Sequence, residues 1–564
     1  MSNKRIIVIG GSAAGPKAAS RARRIDENAD ITIIQKSADL SMASCGYPYY
    51  IGGFFDEREQ LLCSPAGVVR DTNFFWNAKK IVTKVSTEAT KINPTEKTVD
   101  FTDLITGEKG SLSYDKLIVA TGATPRKPPI PGIELKGVTT LVSMPDADFL
   151  RKVRDEGKIK NAVVIGGGLI GIETAEALNL AGINITLVEM LPQLLTFLDK
   201  HLARLVENYV RTKANVILQN GVSAFLGKDG KLTGVKLNDG TEIPCELAVL
   251  ATGVKPNTKL AQDAGLTLGK TGGIVVDQYM QTSNPDIYAV GDCIEIPNLI
   301  TGKPVHAPFG DLANLQGRVA GENAILGNTA TFKGTIQTSI CKVFDYAVGT
   351  TGLSAQNATE MGFTNIETVV NVSLDKPGFM QGKLLTTKLV VEKSTHKILG
   401  AQVIGPGDVS KQTAIWAMAI QGKMKVEDMV NADLPYAPPF SLAIDHSIAT
   451  AHIMQNKLRG FYQSISGEEL RNKLKEKANM LLIDVRNPGE FEEMRLGIGE
   501  RLIPLGQLRK RIMELPADKN TEIIVWCKIS LRGYEAALIL QAHGYKNVKL
   551  MEGGVMAWAW ERER

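Results

Sequence analysis

The sequence predicts an α/β chain in which one strand–turn–helix unit occurs twice, followed by an α+β unit and a second, separate α/β unit. Three observations carry this. Arg5-Ile6-Ile7-Val8-Ile9-Gly10 and Ala162-Val163-Val164-Ile165-Gly166 each open an apolar strand, a glycine turn and a helix. Each is followed much later by an apolar strand ending in Ala-Thr-Gly, at Ala120-Thr121-Gly122 and Ala251-Thr252-Gly253. This echo predicts two interleaved Rossmann-like dinucleotide-binding domains. Beyond about residue 330 the texture changes to strands such as Leu384-Leu385-Thr386-Thr387-Lys388-Leu389-Val390-Val391 with a helical stretch around 414–421. A fresh αβ pattern then follows a polar stretch, with strands at 480–485 and 522–526. The expected domains are 1–118 with 254–328, 119–253, 329–455, a linker at 456–466, and 467–564.

The bulk properties narrow the class. At ~150 residues per domain, 564 residues suit three to four domains. A composition 44% hydrophobic and 22% charged excludes a disordered or fibrous protein. Lys+Arg 65 against Asp+Glu 60 leaves +5 with no basic stripe, so no nucleic-acid partner is expected. Lys4-Arg5 before Ile6-Ile7-Val8-Ile9 imitates a secretory signal, but the run dissolves into Gly10-Gly11-Ser12, which suits a buried first strand. No apolar stretch approaches ~20 residues, so no membrane span is expected. Six scattered cysteines without CxxC or metal-ligand spacing predict free thiols, a cytoplasmic location and no metal site.

The first glycine turn, Gly10-Gly11-Ser12-Ala13-Ala14-Gly15, is G-x-G-x-x-G with Ser12 at the middle glycine. Such a turn brings backbone amides at a helix N-terminus against a pyrophosphate. Gly10, Ser12, Ala14 and Gly15 are the expected contacts. The second strand ends in Gln35-Lys36 where a carboxylate is usual, and Gln35 is expected to bond a ribose hydroxyl without charge assistance. Thr121 and Gly122 would lie beside the same ligand. The string Thr282-Ser283-Asn284-Pro285-Asp286-Ile287-Tyr288-Ala289-Val290-Gly291-Asp292 resembles the strand and acidic turn with which two-dinucleotide flavoproteins bind the FAD ribityl chain. The resemblance implies FAD in the first domain, with Gly291 and Asp292 among its contacts.

The second turn, Gly166-Gly167-Gly168-Leu169-Ile170-Gly171, is a full G-x-G-x-x-G, and Glu189 closes the strand that follows it. Gly166, Gly168, Ile170, Gly171 and Gly253 are the expected NAD contacts. Glu189 can accept from both ribose hydroxyls and repels a 2′-phosphate, so NADH is expected over NADPH. Glu173 on the following helix is open to two readings, a surface glutamate or a residue facing the flavin.

Cys45 follows the first βαβ turn in Ser41-Met42-Ala43-Ser44-Cys45-Gly46-Tyr47-Pro48. A dithiol reductase needs two cysteines a few residues apart, whereas the next here is Cys63, eighteen residues on. Cys45 is therefore expected to work alone as a thiolate of lowered pKa near a helix N-terminus, taking its oxidised partner from outside. This stretch, with Phe344-Asp345-Tyr346 and Tyr436-Ala437-Pro438-Pro439-Phe440-Ser441, resembles coenzyme A-disulfide reductases over roughly residues 1–455. The resemblance implies that the third domain is an α+β dimerisation domain and that Tyr436 reaches the redox sulfur of a partner subunit in a homodimer. It also implies that Arg21, Arg24 and Ser41 line a coenzyme A groove. A solvated helix face is the competing reading of the two arginines. Ser44 replaces the family's asparagine, and Asp375-Lys376-Pro377-Gly378 replaces its Tyr-Tyr-Pro-Gly.

In the last domain, Leu482-Ile483-Asp484-Val485-Arg486-Asn487-Pro488-Gly489-Glu490-Phe491 and Trp526-Cys527-Lys528-Ile529-Ser530-Leu531-Arg532-Gly533 resemble an α/β rhodanese domain. Cys527 opens a loop running into a helix, where successive amides, the helix dipole and Arg532 would hold a sulfur anion. Four residues separate Cys527 from Arg532, the shorter loop of sulfurtransferases, so a persulfide is the expected cargo. Met494-Arg495-Leu496 stands where Gly-His-Ile is usual.

Together these features predict an FAD-dependent NADH:persulfide oxidoreductase, acting on coenzyme A persulfide or polysulfide through Cys45, with Cys527 handling sulfane sulfur. The alternative is a coenzyme A-disulfide reductase with an accessory rhodanese domain. An NADH oxidase or peroxidase is disfavoured because Ala13 stands where such peroxidases carry histidine. A redox sensor is disfavoured by two nucleotide sites it would not need.

Overall fold

The structure, a computed structural model, describes residues 3–563; the expected domain ends at residues 1, 2 and 564 lie outside them. The chain forms two compact units, Met1–Met190 with Ala214–Thr335, and Leu191–Lys213 with Ile336–Arg564.

The first unit holds two five-stranded parallel sheets. One runs Ile287–Ala289, Lys116–Val119, Arg5–Ile9, Asp30–Ile34, Ile81–Lys84. The other runs Asn215–Ile217, Asn184–Val188, Asn161–Ile165, Leu247–Leu250, Val138–Thr140. Parallel strands covered on both faces read as continuous apolar runs, as Ile6, Ile7, Val8 and Ile9 do, all buried. The expected boundary at 118/119 falls inside Lys116–Val119, one unbroken strand of the first sheet, because Val119 still pairs with Ile9 and Ala289. The crossover between the domains is instead the two-stranded ribbon Ala123–Pro125 with Val254–Pro256.

Three helices place the site of this unit: α1 (Ala14–Ile25), α2 (Tyr47–Gly52) and α3 (Leu169–Leu180). A fourth, α4 (Gly310–Leu326), lies against α1 so closely that side chains on Gly317 and Gly321 would strike the Ala14 and Ala18 carbonyl oxygens at 2.4 and 2.2 Å. Only residues without a Cβ allow the two helices to approach this closely.

The second unit carries an antiparallel sheet, ordered Ser339–Val343, Tyr346–Gly352, Ile398–Gly405, Leu384–Glu392, Ile366–Leu374. It also carries a parallel one, ordered Gln463–Ile465, Val548–Met551, Ile523–Trp526, Leu481–Asp484, Arg501–Leu502. Residues 191–213, expected in the second nucleotide domain, belong with this unit. Asp199 explains it: its buried carboxylate accepts from Lys388 (2.9 Å), Gln402 (2.9 Å) and the amides of Ala355 and Gln356. The expected linker at 456–466 is largely ordered structure. Helix α5 (His446–Leu458) runs into it, Gln463–Ile465 is an edge strand of the last sheet, and Tyr462 is buried edge-on against Tyr534.

Candidate active site

The two glycine turns repeat one another at their first and last glycines. Gly10 and Gly166 share a φ of +112°, and a side chain on either would strike a carbonyl oxygen of Ala120 or Ala251 at 2.0 and 2.4 Å. Side chains on Gly15 and Gly171 would meet the Gly10 and Gly166 oxygens at 1.8 and 1.9 Å. Beyond the second turn there is open space at Gly168, which caps α3 without any side-chain acceptor. Ala13 likewise leaves the first amides of α1 uncapped, behind the exposed Ser12. Two unscreened helix N-termini with free approach suit the pyrophosphates of two dinucleotides.

The strand-end residues tie these turns down. Gly11 N–H donates to Gln35 Oε1 (2.7 Å) and Gly167 N–H to Glu189 Oε2 (2.6 Å). Gln35 also donates through Nε2 to Ser37 Oγ (2.5 Å) and the Asp39 carbonyl (3.2 Å). Both ends of this buried amide help to shape the turn, and Gln35 Oε1 accepts from its glycine amide as Glu189 Oε2 does at the second turn. Lys36 is exposed and pairs with Glu88 at 2.7 Å. Ile170 stands exposed at the second turn, and Gly253, with φ of +85°, faces open space.

The rest of the first site is built from distant segments. Thr121 Oγ1 donates to the Asn257 carbonyl (2.7 Å), and Asn257 N–H donates to the Gly122 carbonyl (2.9 Å). Gly291 N–H donates to Gln316 Oε1 on α4 (2.8 Å). Burial pushes the Asp292 carboxyl up from its usual range, with His306 opposing, and His306 Nε2 lies 2.8 Å from the Asp292 carbonyl oxygen. Asn257, Gln316 and His306 were not singled out by the sequence, because nothing in their local pattern marks them.

Cys45 lies in the 3-10 turn Ser44–Gly46 ahead of α2, and its side chain is exposed. A Cβ built on Gly310, the first residue of α4, would stand 3.5 Å from its sulfur. The 17-residue α4 therefore aims its positive end at the thiol, a placement invisible to a reading centred on residues 41–48. The expected lowering of the Cys45 pKa is nevertheless overturned in the protein alone. Desolvation by the surrounding chain raises it, and Glu173, Asp292 and Asp311 add to that rise. Glu173 is half-buried and accepts from Tyr49 Oη of α2 at 3.2 Å, so the surface reading of this residue fails.

The expected coenzyme A groove is divided. Arg21 is committed to Glu322 of α4, with Nε–Oε2 at 2.9 Å, because both helices face each other there. Arg24 is exposed. Ser41 is buried in the left-handed region at φ 55°, its N–H on the Gly11 carbonyl (2.7 Å) and its own carbonyl accepting from Arg70 (3.0 Å).

In the second unit Tyr436 is exposed, as are Phe440 and Ile444. Asp375, where a tyrosine was expected from the resemblance, holds a turn by accepting from the amides of Lys383 (2.8 Å) and Asp408 (3.1 Å). Asp345 accepts from Tyr209 Oη at 2.9 Å, and Tyr346 stacks on that ring with centroids 4.0 Å apart.

Cys527 ends the strand Ile523–Trp526 and is buried. The loop it opens leads into α6 (Leu531–Ala542). Among the described residues, the amides of Lys528, Ile529 and Ser530 have no hydrogen-bond acceptor, as a cradle for an anion requires. Arg532 closes the loop, but its guanidinium makes two 2.7 Å bonds to Glu490, which holds it charged and offsets much of its field; Cys527 adds to the same effect. Glu490 is positioned in turn by Arg486, which donates to its carbonyl (3.0 Å) while pairing with buried Asp484. The two motifs of this domain are thus two ion pairs, Asp484–Arg486 and Glu490–Arg532, joined through the Glu490 backbone carbonyl.

Comparison with known proteins follows the same division. The family model for pyridine nucleotide-disulphide oxidoreductases matches residues 4–307, that for their dimerisation domain 338–448, and that for rhodanese-like domains 466–561. A solved NAD-dependent persulfide reductase from A. fulgidus is 41% identical, with a TM-score of 0.93 over 98% of this chain and 100% of that one. The reduced CoADR-RHD structure of Bacillus anthracis is 35% identical, with a TM-score of 0.92 over 99% of this chain and 98% of that one. An NAD(P)H coenzyme A polysulfide/persulfide reductase of Pyrococcus horikoshii is 33% identical over 80% of this chain and 98% of its own.

Proposed function

Because the chain belongs to the pyridine nucleotide-disulphide oxidoreductase family, we propose that it is an FAD-dependent NADH:persulfide oxidoreductase whose fused rhodanese domain handles sulfane sulfur. Coenzyme A persulfide or polysulfide is the proposed substrate. The observation that carries this reading is an exposed thiol, Cys45, at the N-terminus of α4, in a chain whose other proposed sulfur-handling cysteine opens a loop of amides without acceptors among the described residues.

FAD would be held by Gly10, Ser12, Ala14, Gly15, Gln35, Lys36, Thr121, Gly122, Gly291 and Asp292, and NADH by Gly166, Gly168, Ile170, Gly171, Glu189 and Gly253. Bound FAD supplies the relay by which NADH, one proton and a persulfide become NAD+, a thiol and hydrogen sulfide. The chain's own part is nucleophilic: Cys45 thiolate attacks the sulfur–sulfur bond and retains one half as an oxidised sulfur. The positive end of α4 favours that thiolate, whereas desolvation and, after it, Glu173, Asp292 and Asp311 oppose it. As the bond to Cys45 forms, the substrate's sulfur–sulfur bond breaks and its carrier thiolate leaves with the electron pair; Tyr436 of one protomer is proposed to donate a hydrogen bond to that thiolate at the partner's Cys45 site, which makes the homodimer the working form. Its exposure in the single chain supports this role.

The test is NADH-driven persulfide reduction by the Cys45→Ser holoenzyme. Loss of turnover is expected, and wild-type turnover would overturn the assignment. Coenzyme A-disulfide reduction is the second reading, favoured by the retained Tyr436. Asp375, with both carboxylate oxygens bound to backbone amides, cannot replace a phenolic donor, so turnover on persulfide should exceed that on coenzyme A disulfide.

A further inference from the structure

Within the Cys527 loop one side chain has no use in the resting protein. Ser530 is 8% exposed, its hydroxyl oxygen is fully covered, and it has no hydrogen-bond partner. It also holds a φ of +100°, a conformation glycine adopts freely and serine does not. A sequence free to choose would place glycine there. A buried hydroxyl left unpaired in a strained backbone costs stability twice over, and such costs collect where a ligand later satisfies them.

The surroundings narrow that ligand to an anion. The hydroxyl is a donor in a loop whose amides at 528, 529 and 530 also lack acceptors, at the N-cap of the 12-residue α6. Ser530 Oγ is not taken up by the Cys527 thiol either, so the hydroxyl is available to an anion held in the loop. A persulfide supplies one, since its outer sulfur lies one sulfur–sulfur bond further out and carries the charge.

We propose that Ser530 is a catalytic residue of the rhodanese domain, its hydroxyl donating a hydrogen bond to the outer sulfur of a Cys527 persulfide. This rests on the sulfane-sulfur role assigned above to Cys527. In the loading step the Cys527 thiolate attacks the outer sulfur of a low-molecular-weight persulfide anion, R–S–S−. A bond forms between the cysteine sulfur and the outer sulfur, and the donor's sulfur–sulfur bond breaks. R–S− leaves with the electron pair, so nothing is oxidised or reduced overall. The negative charge ends on the outer sulfur, where the Ser530 hydroxyl and the loop amides meet it.

Coenzyme A persulfide added to the full-length protein without NADH provides the test, read by peptide mass spectrometry of Cys527 and by the pH dependence of persulfide alkylation. Wild type should gain one sulfur atom at Cys527. Ser530→Gly relieves the backbone and removes the hydroxyl, so a purely structural role predicts an unchanged or longer-lived persulfide. The hydroxyl role predicts a lifetime shorter by about tenfold and an alkylation midpoint raised by about one pH unit, as for loss of one hydrogen bond to a charged group. Ser530→Ala should match Ser530→Gly in the midpoint. Loading in wild type with an unchanged lifetime and midpoint in Ser530→Gly would overturn the serine's role alone. No added sulfur on wild-type Cys527 would overturn both this role and the sulfurtransferase reading.

Discussion

Gly310 opens α4 with its Cβ position 3.5 Å from the sulfur of Cys45, although 265 positions separate them in sequence. A helix end therefore faces the proposed redox thiol, and Asp311 in the first turn of that helix works against it. Neutralising the carboxylate should free the helix field.

Asp311→Asn should lower the Cys45 pKa and speed alkylation of Cys45 at neutral pH by a few-fold. In wild type the raised pKa keeps the thiol protonated, so the alkylation rate should climb as pH rises through and beyond the ordinary thiol range. Measuring alkylation of Cys45 against pH checks both, and identical profiles would remove the electrostatic argument.

Glu189 accepts from Gly167 N–H at 2.6 Å and is proposed to accept from the ribose of NADH. Glu189→Ala should raise the KM for NADH by roughly ten- to a hundredfold, the range for loss of a hydrogen bond to a charged group. The preference over NADPH should shrink, since no carboxylate remains to repel a 2′-phosphate. Steady-state kinetics with both nucleotides decide this, and an unaltered NADH/NADPH ratio would be the contrary result.

Lys457 is buried between Glu367 (2.9 Å) and Glu552 (2.8 Å) and donates to the Thr368 carbonyl (2.7 Å). It joins the antiparallel sheet to the turn that supports the Cys527 loop, where Gly553 sits against Val370. Lys457→Met removes the cation that Glu367 and Glu552 share, leaving Glu367 its longer pair with Lys393 (3.5 Å) and Glu552 its bond from Ser464 Oγ, and a loss of up to about 3 kcal/mol is expected. Thermal unfolding of the full chain measures it, and an unshifted transition would contradict the assignment.

Glu490 is held at about 2 by its hydrogen bonds to Arg532, well below the ordinary value of 4.5. A depressed carboxylate stabilises the fold fully above its unfolded pKa and loses that contribution as pH falls through the folded one. The window here runs from about 4.5 down to about 2. Glu490→Gln should flatten the pH dependence of unfolding in that window. At neutral pH it should also free the Arg532 guanidinium. The check is unfolding followed at several acidic pH values for both proteins, with parallel curves as the adverse outcome.

Much of the architecture was legible in the chain itself. The paired glycine turns, the Ala-Thr-Gly strands and the apolar runs determine two parallel-sheet domains, because the pattern of local backbone demands is repeated in order. Cys45 and Cys527 were readable for the same reason, as each lies in a short motif whose spacing has a physical purpose. Tertiary structure alone decided the rest. Gln35 reads locally as a strand end, and only the fold brings the Gly11 amide and Ser37 hydroxyl onto its side chain. Arg21 is drawn to Glu322, and residues 191–213 are drawn to Lys388 and Gln402, by charges hundreds of positions away. The field at Cys45 is set by Glu173, Asp292 and Asp311, which share no local pattern with it. Hydrogen bonding and Coulomb interactions depend on distance in space, and a linear sequence reports only distance along the chain.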